Sequence, residues 1–466
     1  MQAPHPLLVA LNRFGLGGRA AAAVYLAGAS GDPRGFVKAE LEAGKVMDLP
    51  GKPLQPSAKL LQALYLEQQA LKEARAAAPP PAAMDPNAPK PPPPPNVAQD
   101  TYRDEALARF QQSVRVPCGI LERLSAFWAN HFAVSAFKSP FVRITAGAFE
   151  REAIRPFILG RFADMVRAVE QHPTMLHYLD NEFSAGPQSQ VVRNNPKRGL
   201  NENLAREIME LHTLGVNGGY SQTDVTTLAK IITGWTYAGP DGRIAAPGQF
   251  GFMAPWHEPG PQTLLGRVFD QPGLQQGAAA LDMLATHPAT AKFIATKLVR
   301  HFVADDPPPA LVERLAKIFR DTGGDLGSVT RALLAADEAW TLPLTKMRSP
   351  RDFILATLRL IGRAPEEPNR TLGGLNLLGE PLWSPSGPNG FPDTNGAWGA
   401  PEQLKLRLDI ASQVAQQLRD PPNPKDLLEE TFGPAASETT RDAVARAESK
   451  QQGFALLLMS PEMQRR

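Results

Sequence analysis

Eight histidines and 47 acidic residues run through this 466-residue chain, and a few of them stand where they could do chemistry. His257-Glu258 lies in a Pro/Gly-rich stretch beside Trp256. An imidazole and a carboxylate on a loop suit proton transfer or ligation of a divalent metal, and loops carry function more often than helices do. His257 is therefore the leading catalytic or ligand residue. A second set sits in segment 200–214, where Leu204, Ile208 and Leu211 form an apolar stripe. On an ideal helix Glu207 falls about 60° from Leu204, inside the apolar arc, with Asn203 and Glu210 beside it. A carboxylate is costly to bury alone. The pattern thus predicts a buried, paired Glu207, either bridged to Arg151, Arg155 or Arg206 or working with Glu210 as a functional carboxylate. His212 projects roughly 140° away from Glu207, which excludes a local pair. His131 borders the stripe of Leu121, Leu124 and Trp128. It either bonds a backbone carbonyl or joins Trp128 and Asn130 in a pocket wall. We expect His131, Glu207 and His257 to converge on one polar pocket. His172-Pro173 and His287-Pro288 stand at helix starts, where an imidazole is most simply a cap.

The elements that must position these groups are mostly helices. Residues 57–78 are rich in good helix formers, and helical patterning returns from about Asp100 to Phe132, broken at Pro117. Further helices are expected at 148–170, 173–182, 200–214, 222–233, 275–285, 289–303, 309–320, 326–335, 349–361, 401–418 and 453–464. Ser221 and Asp224 have capping-box spacing. Strand patterning is confined to Gln249–Met253 and Thr263–Phe269, expected to pair as one small hairpin. Residues 380–400 mix Gly, Pro and aromatics and predict a long ordered loop. Ten prolines fall between Pro79 and Pro95; with so few amide donors the run favours polyproline II and reads as an exposed spacer. The expected organisation is a mainly α, multihelical fold. An N-terminal helical segment (1–78) packs as one unit with a main helical domain (99–466), and a proline-rich linker (79–98) joins them.

Composition narrows the classes. Forty-nine basic residues against 47 acidic ones give a formal net charge of +2, so no nucleic-acid partner is expected. No run approaches the ~18 apolar residues of a membrane span. A start without a basic n-region and apolar run predicts a cytoplasmic protein, with export alongside a partner as the alternative. The single Cys118 excludes an intrachain disulfide or a Cys-based metal cluster. GxGxxG after a strand, GxxxxGK[ST], HExxH and GxSxG are all missing.

Several blocks are more distinctive. They include Asn12-Arg13-Phe14-Gly15-Leu16-Gly17, Phe127-Trp128-Ala129-Asn130-His131-Phe132, His172-Pro173-Thr174-Met175-Leu176 and the long run Asn201–Val216. Thr233-Gly234-Trp235, His257-Glu258-Pro259-Gly260 and His287-Pro288-Ala289-Thr290-Ala291 through Lys297-Leu298 follow. Together they make the chain resemble the bacterial Domain of Unknown Function 1800 family, outside the proline run and parts of the last hundred residues. The resemblance carries no established activity. It implies a bacterial protein whose gene often neighbours that of a sulfatase-like protein, a possible partner. Relatives usually have Lys where this chain has Gln262.

Three functions are compatible with these residues. One is a hydrolase-like or metal-dependent enzyme using His131, Glu207, Glu210 and His257 as acid–base groups or ligands, its cofactor unknown. Another is a non-catalytic partner or maturation factor of the sulfatase-like protein. The third is a glycan- or peptide-binding module built on Trp383, Phe391 and Trp398.

Overall fold

The computed structural model describes residues 3–19, 23–44, 48–77, 96–418 and 420–466. The proline run from Pro79 to Pro95 lies outside them. The expected linker ends earlier than its composition implies: Asn96 caps a helix that starts at Val97, its side chain accepting the Gln99 amide.

Helices dominate, as the patterning predicts, and among the described residues strands occur only as two short antiparallel pairs. The helix Ser57–Ala77 lays Leu60, Leu61 and Leu64 against Phe141, Ile144 and Ala148 of the helix Pro140–Phe149. Val97–Arg115 and Ile120–His131 are separated at Pro117, with Gly119 in the left-handed region. A large core gathers Trp128, Phe132, Phe162, Ile208, Trp235 and Phe302, all essentially inaccessible to solvent. A second core collects near the C-terminus around Leu360, Phe432 and Phe454. Among the described residues no helix is long and apolar enough to cross a membrane.

The strand pairing differs from the expected one. β1 (Trp235–Tyr237) pairs with β2 (Phe250–Phe252), and β3 (Gln262–Leu264) pairs with β4 (Arg267–Phe269). The segment 263–269 folds back on itself because Leu265-Gly266 takes positive φ at both positions, which a two-residue hairpin turn requires. The small hairpin therefore lies inside that segment, and 250–252 finds its partner upstream instead.

The two ends of the chain are joined by polar side chains inside the protein. Asn12 donates to the carbonyls of Glu462 (2.7 Å) and Arg465 (3.2 Å). Arg13 donates to those of Ala339, Leu342 and Pro343. Arg359 caps a whole turn, reaching the carbonyls of Gly17, Ser113, Val116 and Pro117. These bonds satisfy backbone acceptors that irregular segments would otherwise bury unpaired.

Candidate functional site

Five parts of the chain meet around a half-open cavity of about 270 Å³. The helix Ile120–His131 contributes Phe127, Asn130 and His131. The helix Pro288–Phe302 contributes Lys297 and His301, one turn apart on a single face, while Ile294, Leu298 and Phe302 anchor it to the core. The start of the helix Pro350–Ile361, capped by Ser349, brings Arg351 and Asp352. The loop 380–400 closes the remaining side with Glu380, Phe391 and Asp393, next to Arg466.

That loop is ordered by specific bonds, as its composition predicts. Asn130 exchanges two hydrogen bonds with the backbone of Phe391, at 2.8 and 2.9 Å. The approach demands glycine next door: a Cβ on Gly390 would lie 2.3 Å from the Asn130 carbonyl oxygen, and its φ is +74°. Asn395 ties the loop to Asp305, Thr345 and Met347. The indole N–H of Trp383 donates to Glu150 and that of Trp398 to the Pro392 carbonyl. Those two tryptophans spend their polar edges inside the protein, and only Phe391 of the three aromatics expected to bind ligand lines this cavity.

Two imidazoles face the cavity in different states. His131 Nε2 lies 3.0 Å from the His212 carbonyl, which only accepts, so Nε2 carries the proton. Nδ1 then accepts from the Lys297 ammonium at 2.9 Å. Burial, with Lys297 and His212 nearby, holds the His131 ring well below its ordinary pKa, so it stays neutral. His301 Nδ1 lies 2.7 Å from Asp393 Oδ2. The carboxylate needs the proton on Nδ1, which leaves the Nε2 lone pair, buried and without a protein partner, on a ring that lines the cavity. Burial lowers the His301 pKa to about 4 against the opposing pull of Asp393. Burial alone would raise the Asp393 carboxyl, but His301, Arg466 and Lys346 hold it well below the usual carboxylate range. Lys297 loses hydration at the cavity wall, and its pKa falls to about 8, with Asp393 opposing and Arg300 assisting.

Cations surround these rings. Arg466 reaches Asp393 at 2.7 Å and the His301 carbonyl at 2.5 Å. Arg123 and Arg351 clasp Asp352 at 2.9 and 2.8 Å, keeping its carboxyl ionised against burial. Among the described residues, no side chain uses the remaining donors of the Lys297 ammonium and the Arg351 guanidinium. A half-open site with spare N–H donors and one unpartnered imidazole lone pair among the described residues can receive an anionic group next to a transferable proton.

Of the residues singled out from the sequence, His131 bonds a backbone carbonyl and lines this cavity with Asn130, but Trp128, expected beside them, is not in the lining. Glu207, Glu210 and His257 are not in its lining. His257 borders a separate open groove with Gln188, Arg193 and Pro259. Its Nδ1 donates to the Thr233 carbonyl at 3.0 Å, and burial lowers its pKa. Glu207 is half-buried and, among the described residues, has no ion pair. Arg151 pairs with Glu105, Arg155 with Glu122, and Arg206 with Glu202. Leu204 and Ile208 are buried as the stripe predicts, and Glu207 stays half-buried at its edge. After Glu207 the helix widens into a π-turn from Ile208 to His212, which brings Met209 and His212 inward and leaves Leu211 half-buried. His212 is instead buried against Glu170, Nδ1 to Oε1 2.8 Å. His172 and His287 cap their helices as expected, accepting the Thr174 and Ala289 amides.

Lys297, His301, Arg351 and Asp393 were not singled out from the sequence. Lys297 and His301 had a signal, four residues apart beside an apolar stripe. Arg351 and Asp393 had none, because they arrive from distant segments. Among the described residues no group of three or more His, Cys, Asp or Glu is placed to hold a metal ion.

No curated protein and no solved structure matches the chain. Residues 9–465, nearly the whole chain, match the sequence model of a family described as protein of unknown function (DUF1800), and the chain belongs to that family.

Proposed function

We propose that the cavity is the active site of an acid–base hydrolase for a small anionic ester. The observation that carries this reading is the His301–Asp393 pair, with an unpartnered Nε2 on a ring that lines the same cation-rich cavity as Lys297. Neutral His301 takes a proton from water, and Asp393 stabilises the imidazolium that forms. Lys297, with a pKa of about 8, is protonated at neutral pH and close enough to its titration point to give a proton to the leaving oxygen. Arg351 and Arg300 hold the substrate's anionic group, while Phe127 and Phe391 supply apolar walls.

The test is hydrolysis of p-nitrophenyl esters that carry a carboxylate (the hemisuccinate), a phosphate or a sulfate. Release of nitrophenolate from at least one of them is expected, with a loss of about 100-fold or more in His301→Gln and Lys297→Met, the usual scale for removing a general acid or base. Wild-type rates in both variants, or no hydrolysis of any of the three esters, would overturn the reading. A non-catalytic partner of a sulfatase-like protein, or a glycan- or peptide-binding module, would then take its place.

A further inference from the structure

A second constellation lies away from this cavity, and none of its members lines it. Ser139 Oγ is 3.1 Å from His177 Nε2, and His177 Nδ1 is 2.9 Å from Glu182 Oε1. We propose that Ser139, His177 and Glu182 form a nucleophilic triad that transfers the acyl group of apolar carboxylic esters.

The protonation pattern follows from the partners. Glu182 is 4% exposed and its carboxylate only accepts, so Nδ1 of His177 carries the proton. Nε2 is then a lone pair, and the Ser139 hydroxyl donates to it. This arrangement, a nucleophile bonded to a base that a carboxylate orients, is what makes a serine reactive. The ring is also held in place: Phe141 stacks on it at 4.2 Å with planes 20° apart. The Tyr237 hydroxyl sits 2.9 Å from Nδ1 and 3.3 Å from Glu182 Oε1. Lys138 fixes the strand of chain beneath by donating to the carbonyls of His177 and Tyr178 and to Asp180.

Access and polarity fit an ester. Ser139 is half-buried and the His177 side chain 22% exposed, so the dyad is open to solvent. Phe137, two residues before the serine, is 63% exposed, and Phe183, next to Glu182, is 64% exposed. Rings this exposed beside a nucleophile suit an apolar acyl chain. Ser139 also precedes the ten-residue helix Pro140–Phe149 in an extended conformation, accepting the Val142 amide. The positive end of that helix therefore lies at the nucleophilic oxygen, where it favours loss of the hydroxyl proton to His177.

In the first step Ser139 Oγ bonds to the acyl carbon while the bond to the alcohol oxygen breaks. His177 takes the hydroxyl proton and passes it to the departing alkoxide. Water then attacks the acyl-serine, His177 takes its proton, and Ser139 leaves with that proton as the carboxylic acid is released.

The competing account is that Ser139 is only a helix cap and His177 its structural neighbour. A fluorophosphonate probe separates the two, since it reacts with activated serines by losing fluoride and stays bonded at the site. Peptide mapping by mass spectrometry is expected to find the phosphonyl group on Ser139 of the wild-type protein. It should be absent from Ser139→Asn, which keeps a capping side chain. His177→Gln should lower the labelling rate by about 100-fold or more. An unlabelled Ser139 in the folded wild-type protein, or labelling that His177→Gln leaves unchanged, would overturn the proposal.

Discussion

At the scale of single residues, the decisive feature is that burial lowers the pKa of two cavity groups and leaves them on opposite sides of neutral pH. His301 must be neutral to act as a base, which holds above its pKa of about 4. Lys297 must be protonated to act as an acid, which holds below about 8. The rate on an anionic ester is therefore expected to rise through about pH 4 and to fall through about pH 8. Arginine at position 297 should abolish the alkaline fall along with most activity, because a guanidinium does not deprotonate there. Glu207 gives a test with the other sign. Burial raises its folded-state carboxyl pKa, with Glu210 adding to the rise. Such a group opposes folding as the pH climbs from its unfolded value towards its folded one. Glu207→Gln is thus expected to unfold at the same urea concentration as wild type, or a higher one, at pH 7. Any gain should vanish below about pH 4, where the carboxyl is protonated in both states. The sequence revealed that Glu207 was out of place on an apolar arc, but not that the helix would widen after it and bury His212. No residue pattern in that segment announces a π-turn.

At the scale of elements, caps and turns were legible and partners were not. The spacing of Ser221 and Asp224 marks the start of the helix Gln222–Ile231, and both halves of the capping box are present. Asp224 does more than its spacing implies, because its second oxygen accepts the Leu265 amide at 2.9 Å and pins the β3–β4 turn. Ser221→Ala should cost about 1 kcal/mol in a urea titration, a usual value for a lost cap. Asp224→Ala is expected to cost more and, unlike the serine change, to speed hydrogen exchange at Leu265. Equal exchange at Leu265 in the two variants would contradict a separate role for Asp224 in the turn. Strand pairing escaped the sequence because each strand is three residues long, too short for alternation to choose between partners. The long loop was recognisable from its glycines and prolines, whereas its contact with Asn130 depends on a helix more than two hundred residues away.

At the scale of the whole molecule, buried arginines hold distant segments together, and their pairing decides what each is worth. Arg359 satisfies carbonyls on two irregular stretches far apart in sequence. Arg359→Met strands those acceptors and should cost roughly 3–5 kcal/mol. Arg348 is equally buried, yet none of its three guanidinium nitrogens has a partner among the described residues. Burial, with Arg123 close by, lowers its pKa to about 9. Arg348→Met is therefore expected to leave the melting temperature unchanged or to raise it. Composition and periodicity conveyed the helical class, but not these ties, since an arginine looks the same in a sequence whether it meets water or a set of buried carbonyls. The same holds for the cavity, where five segments contribute and only His131 among its lining residues was expected to do chemistry. The claim that rests on all of them is that His301 presents a free Nε2 to an anionic ligand. Nitrogen-15 NMR of histidine-labelled protein measures this directly. His301 is expected as the neutral Nδ1–H tautomer at pH 7, titrating near pH 4, with its Nε2 resonance shifting when succinate or inorganic phosphate is added. A protonated ring at pH 7, a proton on Nε2, or a resonance that neither anion moves would contradict the assignment of this cavity as the site.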